Sequence, residues 1–190
     1  DITYSPDSFT LTIGTAMTNS VTPTVNGDPA TSWSISPSLP TGISFGTNNG
    51  TIWGTPTIIS ASTAYTVTAV NNGGSGTATI TMQVNDIAPS SINYSPSSLS
   101  LAKDSQMSDL MPTAQGGDVV TWSILPALPS GLSIDSSTGT ISGTPTVMSP
   151  STSYTVTATN TGGSATATLT IVVNDACLLY TSDAADDQAC

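Results

Sequence analysis

The side chains that most often move protons or attack carbonyl groups are nearly missing from this chain. Residues 1–176 contain no histidine, arginine, glutamate or cysteine, and Lys103 is the only basic side chain. General acid–base and nucleophilic catalysis draw mainly on those residue types, and a serine has no histidine here to take its proton. Aspartates remain, but a paired-carboxylate glycosidase needs two of them about 5–9.5 Å apart in a cleft, and no motif sets any two in that relation. The sequence therefore assigns no catalytic residue and no organic cofactor, and predicts a protein that is not an enzyme. Two local features could still hold a ligand. Asn85 and Asp86 offer adjacent side-chain oxygens, the donor type of which calcium takes six to eight. Trp53 follows Ile52 in an alternating stretch, so an inward Ile52 turns the indole outward, where aromatic side chains contact partners or sugars. Plain structural readings stand beside these: Asp86 as a strand-end residue that opens a linker, and Trp53 as cover for a neighbouring loop or domain.

Charge bounds the partners. The net charge is −11 although only 7% of residues are charged, so the acidity reflects missing cations rather than acidic runs. Binding to phosphates needs clustered Lys and Arg, which excludes nucleic acid and, on the same grounds, an anionic membrane surface. No apolar stretch approaches the ~18 residues of a membrane span, and no basic-then-apolar leader opens the chain. The chain begins at Asp1 and enters a repeated phrase at once, so it is expected to be a piece of a longer protein.

The elements that must position Trp53 and Asp86 come from a duplication. Trp33 returns as Trp122, Gly42 as Gly131, Gly50 as Gly139, Tyr65 as Tyr154 and Asp86 as Asp175, each 89 residues on. A unit of that length can close a core of its own. Within each copy apolar and polar residues alternate, as in Tyr65-Thr66-Val67-Thr68-Ala69 and Ala78-Thr79-Ile80-Thr81-Met82-Gln83-Val84, the period of a strand with one wet face. Asn71-Asn72-Gly73-Gly74-Ser75-Gly76 between them predicts a hairpin. Phe9–Ile13 and Ser32–Ile35 predict further strands, and Asn48-Asn49-Gly50 turns the chain into Thr51-Ile52. No helical period of adequate length occurs. About seven short strands with turns every 8–12 residues predict an all-β protein of two tandem immunoglobulin-like β-sandwich domains. Trp33 and Trp122 are the expected core plugs, and Tyr65 and Tyr154 the expected tyrosine corners, whose hydroxyls bond nearby backbone.

The phrases Leu128-Pro129-Ser130-Gly131-Leu132-Ser133-Ile134-Asp135 and Thr138-Gly139-Thr140-Ile141-Ser142-Gly143-Thr144-Pro145 resemble the signature of the He_PIG immunoglobulin-domain family, related to dystroglycan-type cadherin-like domains. The likeness covers nearly all of residues 1–176. Unit one departs from it with Phe45-Gly46 in place of Ile134-Asp135 and Trp53 in place of Ser142. The resemblance implies tandem arrays in large surface and secreted proteins, hence an extracellular or cell-surface location. Asn85-Asp86-Ile87-Ala88-Pro89 is also similar to the cadherin inter-domain segment Asn-Asp-Asn-Ala-Pro, which implies calcium at Asn85 and Asp86. Ile87 replaces the third ligand, however, and glutamate is absent.

After Asn174-Asp175 the repeat register stops. Cys177-Leu178-Leu179-Tyr180-Thr181-Ser182-Asp183-Ala184-Ala185-Asp186-Asp187 is similar to the translation of a transposase adapter used to prepare sequencing libraries. Residues 177–190 are therefore set aside as a non-native tail, and the pair Cys177 and Cys190 says nothing about redox compartment. The expected domains are 1–88 and 89–176. Asp86 to Ser91, with Pro89, is expected to form a short, semi-rigid link that holds them in an extended line. The expected role is that of spacer and adhesion repeats of a larger surface protein, with other domains of the same array, surface proteins or polysaccharide as partners. The alternatives are a calcium-dependent or carbohydrate-binding module and an accessory region of a secreted hydrolase.

Overall fold

The computed structural model describes residues 1–175, so the tail 177–190 and both cysteines lie outside the described residues. The chain separates into two compact units, divided between Asp86 and Ile87. Each unit contains eight strands and, among the described residues, no helix.

In unit 1 the strands are Ile2–Thr3 (β1), Ser8–Thr12 (β2), Thr24–Val25 (β3), Ser32–Ser36 (β4), Ile43–Phe45 (β5), Ile52–Gly54 (β6), Ser60–Asn71 (β7) and Gly74–Asn85 (β8). One layer is a four-stranded sheet in the order β2-β8-β7-β4. Within it β2 runs parallel to β8, while β7 is antiparallel to both β8 and β4. The facing layer consists of the ribbons β1–β3 and β5–β6, with Val21 bridging to Ile52.

Unit 2 repeats this plan with Pro89–Tyr94 (β9), Ser98–Ala102 (β10), Pro112–Gly116 (β11), Thr121–Leu125 (β12), Leu132–Ile134 (β13), Ile141–Gly143 (β14), Ser149–Asn160 (β15) and Gly163–Asn174 (β16). Its sheet order is β10-β16-β15-β12, again with a parallel β10–β16 pair, and Leu110 bridges to Ile141. The fold is all-β, two sandwiches in tandem.

Alternation explains the layering, because successive strand side chains point to opposite faces. Tyr65, Val67 and Ala69 of β7 and Ile80, Met82 and Val84 of β8 are buried, while the residues between them stay wholly or partly exposed. Tyr154, Val156, Ala158, Leu169, Ile171 and Val173 do the same in unit 2. Two boundaries differ from the sequence expectation. The central hairpins are longer, because Gly74-Ser75-Gly76 continues the β8 ladder opposite Asn71, Val70 and Ala69. Pairing across the ladder outweighs the weak strand preference of glycine. The link between units is also shorter than Asp86 to Ser91, since Pro89, Ser90 and Ser91 belong to β9. Proline lacks an N–H, and the first residue of a strand is where a sheet tolerates it.

Each core is centred on its indole. Trp33 and Trp122 are buried on β4 and β12. Gly50 and Gly139 lie flat against them, with φ of +69° and +73°, and a Cβ on either would come within 2.5 Å of ring carbon. The Tyr4 hydroxyl donates to Gly50 O and the Tyr94 hydroxyl to Gly139 O, both at 2.6 Å. In unit 2 Tyr94 and Trp122 meet edge to face, with centroids 6.4 Å apart and planes at 77°. Tyr65 and Tyr154 contribute buried rings, but the hydroxyl-to-backbone bonds expected of them are made by Tyr4 and Tyr94.

The turns that present these glycines are fastened differently. In unit 2 the exposed Asp135 carboxylate accepts from Ser137 N at 2.7 Å, Ser137 Oγ at 2.6 Å and Thr138 N at 2.9 Å. In unit 1 Asn49 Oδ1 accepts from Thr51 N at 3.1 Å, and Gly46 leaves room, because a Cβ there would lie 2.1 Å from that oxygen.

Gly14 shares the backbone conformation of Gly50, with φ of +72°, but has nothing within 4 Å of a Cβ. Gly14→Ala should therefore cost only backbone strain, about 1–2 kcal/mol. Gly50→Ala adds displacement of the indole and should cost a further ~1–3 kcal/mol, measured by urea unfolding. Burial pushes the Tyr4 and Tyr94 hydroxyls up to about 12. A phenol near 10 when unfolded and near 12 when folded gives stability that is complete below pH 10 and is lost as pH rises toward 12. The double variant Tyr4→Phe/Tyr94→Phe should flatten that alkaline fall and, at neutral pH, cost about 1 kcal/mol in each unit. The Ser137 and Thr138 donors hold Asp135 down to about 2, against about 3.9 for an unfolded aspartate. Its contribution is present above pH 4 and lost as pH falls through 2, so Asp135→Asn should flatten acid melting curves over that window.

Candidate functional site

The middle of β6 and the end of β8 carry the residues that the sequence singles out. Trp53 sits in the middle of β6, opposite Ser44 of β5. Ile52 before it is fully buried, and the indole is 43% exposed. Strand alternation turns it away from the core, and its counterpart on β14 is the half-buried Ser142. Unit 2 thus has no indole at this place, and Trp53 is a feature of unit 1.

Asn85 ends β8. Its side-chain oxygen already accepts from Gln83 Nε2 at 2.6 Å, and its backbone carbonyl accepts from Ile13 N at 2.9 Å. Asp86 follows, half-buried. No three His, Cys, Asp or Glu side chains come together among the described residues. The only basic side chain, Lys103, lies 3.4 Å from Asp104 with both side chains exposed, a pairing worth little in water.

Sequence reasoning passed over a pair of exposed apolar residues that occurs in both units. Ile58 and Ile59 precede β7, and Val147 and Met148 occupy the same place before β15; all four are exposed. The signal was present in the repeat alignment, where Thr-Pro-Thr is followed each time by two large apolar residues. It also passed over a cleft of about 210 Å³ at the head of unit 1, bordered by Asp1, Asn26, Asp28, Asn71 and Gly74. Ile2, Val25, Ala30, Ala69 and Val70 also line it.

Comparison with known proteins places this geometry. The family model described as "Putative Ig domain" matches residues 1–85 and again residues 89–174. The chain is 32% identical over 162 residues to the "Serine-rich adhesin for platelets" of Staphylococcus aureus strain MRSA252, covering 85% of this chain and 12% of that protein. The same adhesin of strain USA300 is 31% identical over 151 residues, covering 79% of this chain and 7% of that protein. The chain thus spans a small part of the relatives it matches. Among solved structures, extracellular domains 3–5 of Drosophila OTK share the fold, with a TM-score of 0.53 at 17% identity over 92% of this chain and 62% of that one. With both repeats matched from first strand to last, the chain belongs to the Putative Ig domain family, as two tandem immunoglobulin-like β-sandwich units.

Proposed function

We propose that the two units are non-catalytic spacer and adhesion repeats of a larger extracellular or cell-surface protein. The observation that carries this reading is the 32% identity of both repeats together to part of an adhesin. The architecture supports it physically. Each unit closes its own core around its own tryptophan, so copies can be added in series without redesigning any interior. The outer faces of the long strands are rich in threonine, and their hydroxyls hydrate the surface without a high density of charge. With one basic residue in the whole chain, nonspecific attachment to polyanions is weak.

Binding by this segment itself is the second reading, and the exposed Trp53 favours it, with polysaccharide as the ligand class. Titration calorimetry of the chain against calcium and against a panel of polysaccharides separates the two. The spacer reading expects no heat from any of them. Heat from a polysaccharide that disappears in Trp53→Ser would assign binding to β6, and heat from calcium that disappears in Asp86→Asn would assign it to the junction.

A further inference from the structure

The duplication makes a chemical asymmetry between the units visible. Asparagine is followed by glycine three times in unit 1, at Asn26-Gly27, Asn49-Gly50 and Asn72-Gly73. The corresponding positions of unit 2 keep the glycine and lose the asparagine, as Gln115-Gly116, Thr138-Gly139 and Thr161-Gly162. An Asn-Gly step is prone to react with itself, because glycine has no side chain to shield its nitrogen or to restrict its approach, and the ring that closes is five-membered. Glutamine would need a larger ring, and threonine has no side-chain carbonyl to attack.

Of the three steps, Asn49-Gly50 is the one built against a core side chain. Gly50 is buried on Trp33, where a Cβ would come within 2.5 Å of the ring, and neither Gly27 nor Gly73 has a core side chain beside it. Asn49 itself is exposed, so water reaches its amide. Both reacting groups are nevertheless occupied. Gly50 N donates to Gly46 O at 2.7 Å, and Asn49 Oδ1 accepts from Thr51 N at 3.1 Å. The Tyr4 hydroxyl holds the other end of the same glycine, donating to Gly50 O at 2.6 Å. While these bonds last, the Gly50 N–H is directed at Gly46 and away from the Asn49 amide carbon.

We propose that Asn49-Gly50 is a self-modification site gated by the fold, closed while Tyr4 holds the turn on Trp33 and reactive whenever the turn opens. In the open turn the Gly50 nitrogen forms a bond to Asn49 Cγ, the Cγ–Nδ2 bond breaks, and ammonia leaves with the amide proton. Water then opens the succinimide at either carbonyl, leaving aspartate or isoaspartate at position 49. Isoaspartate carries the main chain through Cβ, so one extra atom precedes Gly50 and the glycine no longer reaches its place on the indole. Unit 1 thus records its openings irreversibly, and unit 2, with Thr138 at this position, does not.

The test ages the full chain in mildly alkaline buffer and follows each asparagine by mass spectrometry of peptic fragments, with an isoaspartyl methyltransferase to separate the isomers. Asn49 should convert about tenfold more slowly in the native chain than in the same chain held in guanidinium chloride. Tyr4→Phe, which removes one hydrogen bond from the closed turn, should raise the native rate about fivefold, and Tyr94→Phe in unit 2 should leave it unchanged. Ageing should lower the unfolding midpoint of unit 1, followed through its own NMR signals, by about 4 °C or more. Asn49→Thr, which copies unit 2, should abolish that loss. Conversion of Asn49 in the native chain at the denatured rate, a rate indifferent to Tyr4→Phe, or an equal loss of midpoint in Asn49→Thr would overturn the proposal.

Discussion

A flat tryptophan face needs a flat neighbour, and that requirement organises both units. Any side chain on Gly50 or Gly139 would enter the volume of the indole, so the turn that covers the ring must be glycine in a left-handed conformation. The same glycine's carbonyl, carried into the interior with the turn, needs a donor, because an unpaired buried carbonyl costs about as much as the bond it lacks. Tyr94 supplies that donor from the end of β9 and Tyr4 from the residue just after β1. One contact therefore ties together a sheet strand, a turn in the opposite layer and the strand that opens the fold. The turn can be fastened by Asp135 in one unit and by Asn49 in the other because only the position of the glycine is constrained.

The duplication made the fold legible before any coordinates. Alternation in residues 65–69 and 78–84 identified the central hairpin, and the recurrence of Trp33 as Trp122 identified the plug. Contacts that depend on distant partners were not legible. Nothing local to Tyr94 announces a carbonyl 45 residues away, so the hydroxyl role was expected at Tyr65 and Tyr154, whose neighbourhood fits the familiar corner. Nothing local to Asn160 announces a carbonyl 73 residues earlier. Strand ends were blurred because Gly74-Ser75-Gly76 has the composition of a turn and the pairing of a strand. At the candidate site, strand period alone set the outward direction of Trp53, since it follows from the inward direction of Ile52. A ligand for that ring is a matter of surface chemistry that a single indole leaves unspecified.

The two units are close copies in their interiors and diverge at their surfaces. Core positions keep their volume class, as Ile52 and Ile141 or Val67 and Val156 show. Trp53 and Ser142, or Asp28 and Gly117, change character altogether. Packing density forbids drift in the first group, while water tolerates it in the second. Differences between repeats therefore mark the places where selection was free to act on contacts beyond the fold.

The parallel pairing of β2 with β8, and of β10 with β16, has a mechanical corollary. These are an early strand and the last strand of each unit, so a pull applied through the chain drags them lengthwise in opposite directions. Their five-residue ladders are then strained all at once in shear, whereas an antiparallel hairpin pulled from its open end unzips one bond at a time. Resistance to stretching is thus written into the strand order of each sandwich, independent of what either surface touches.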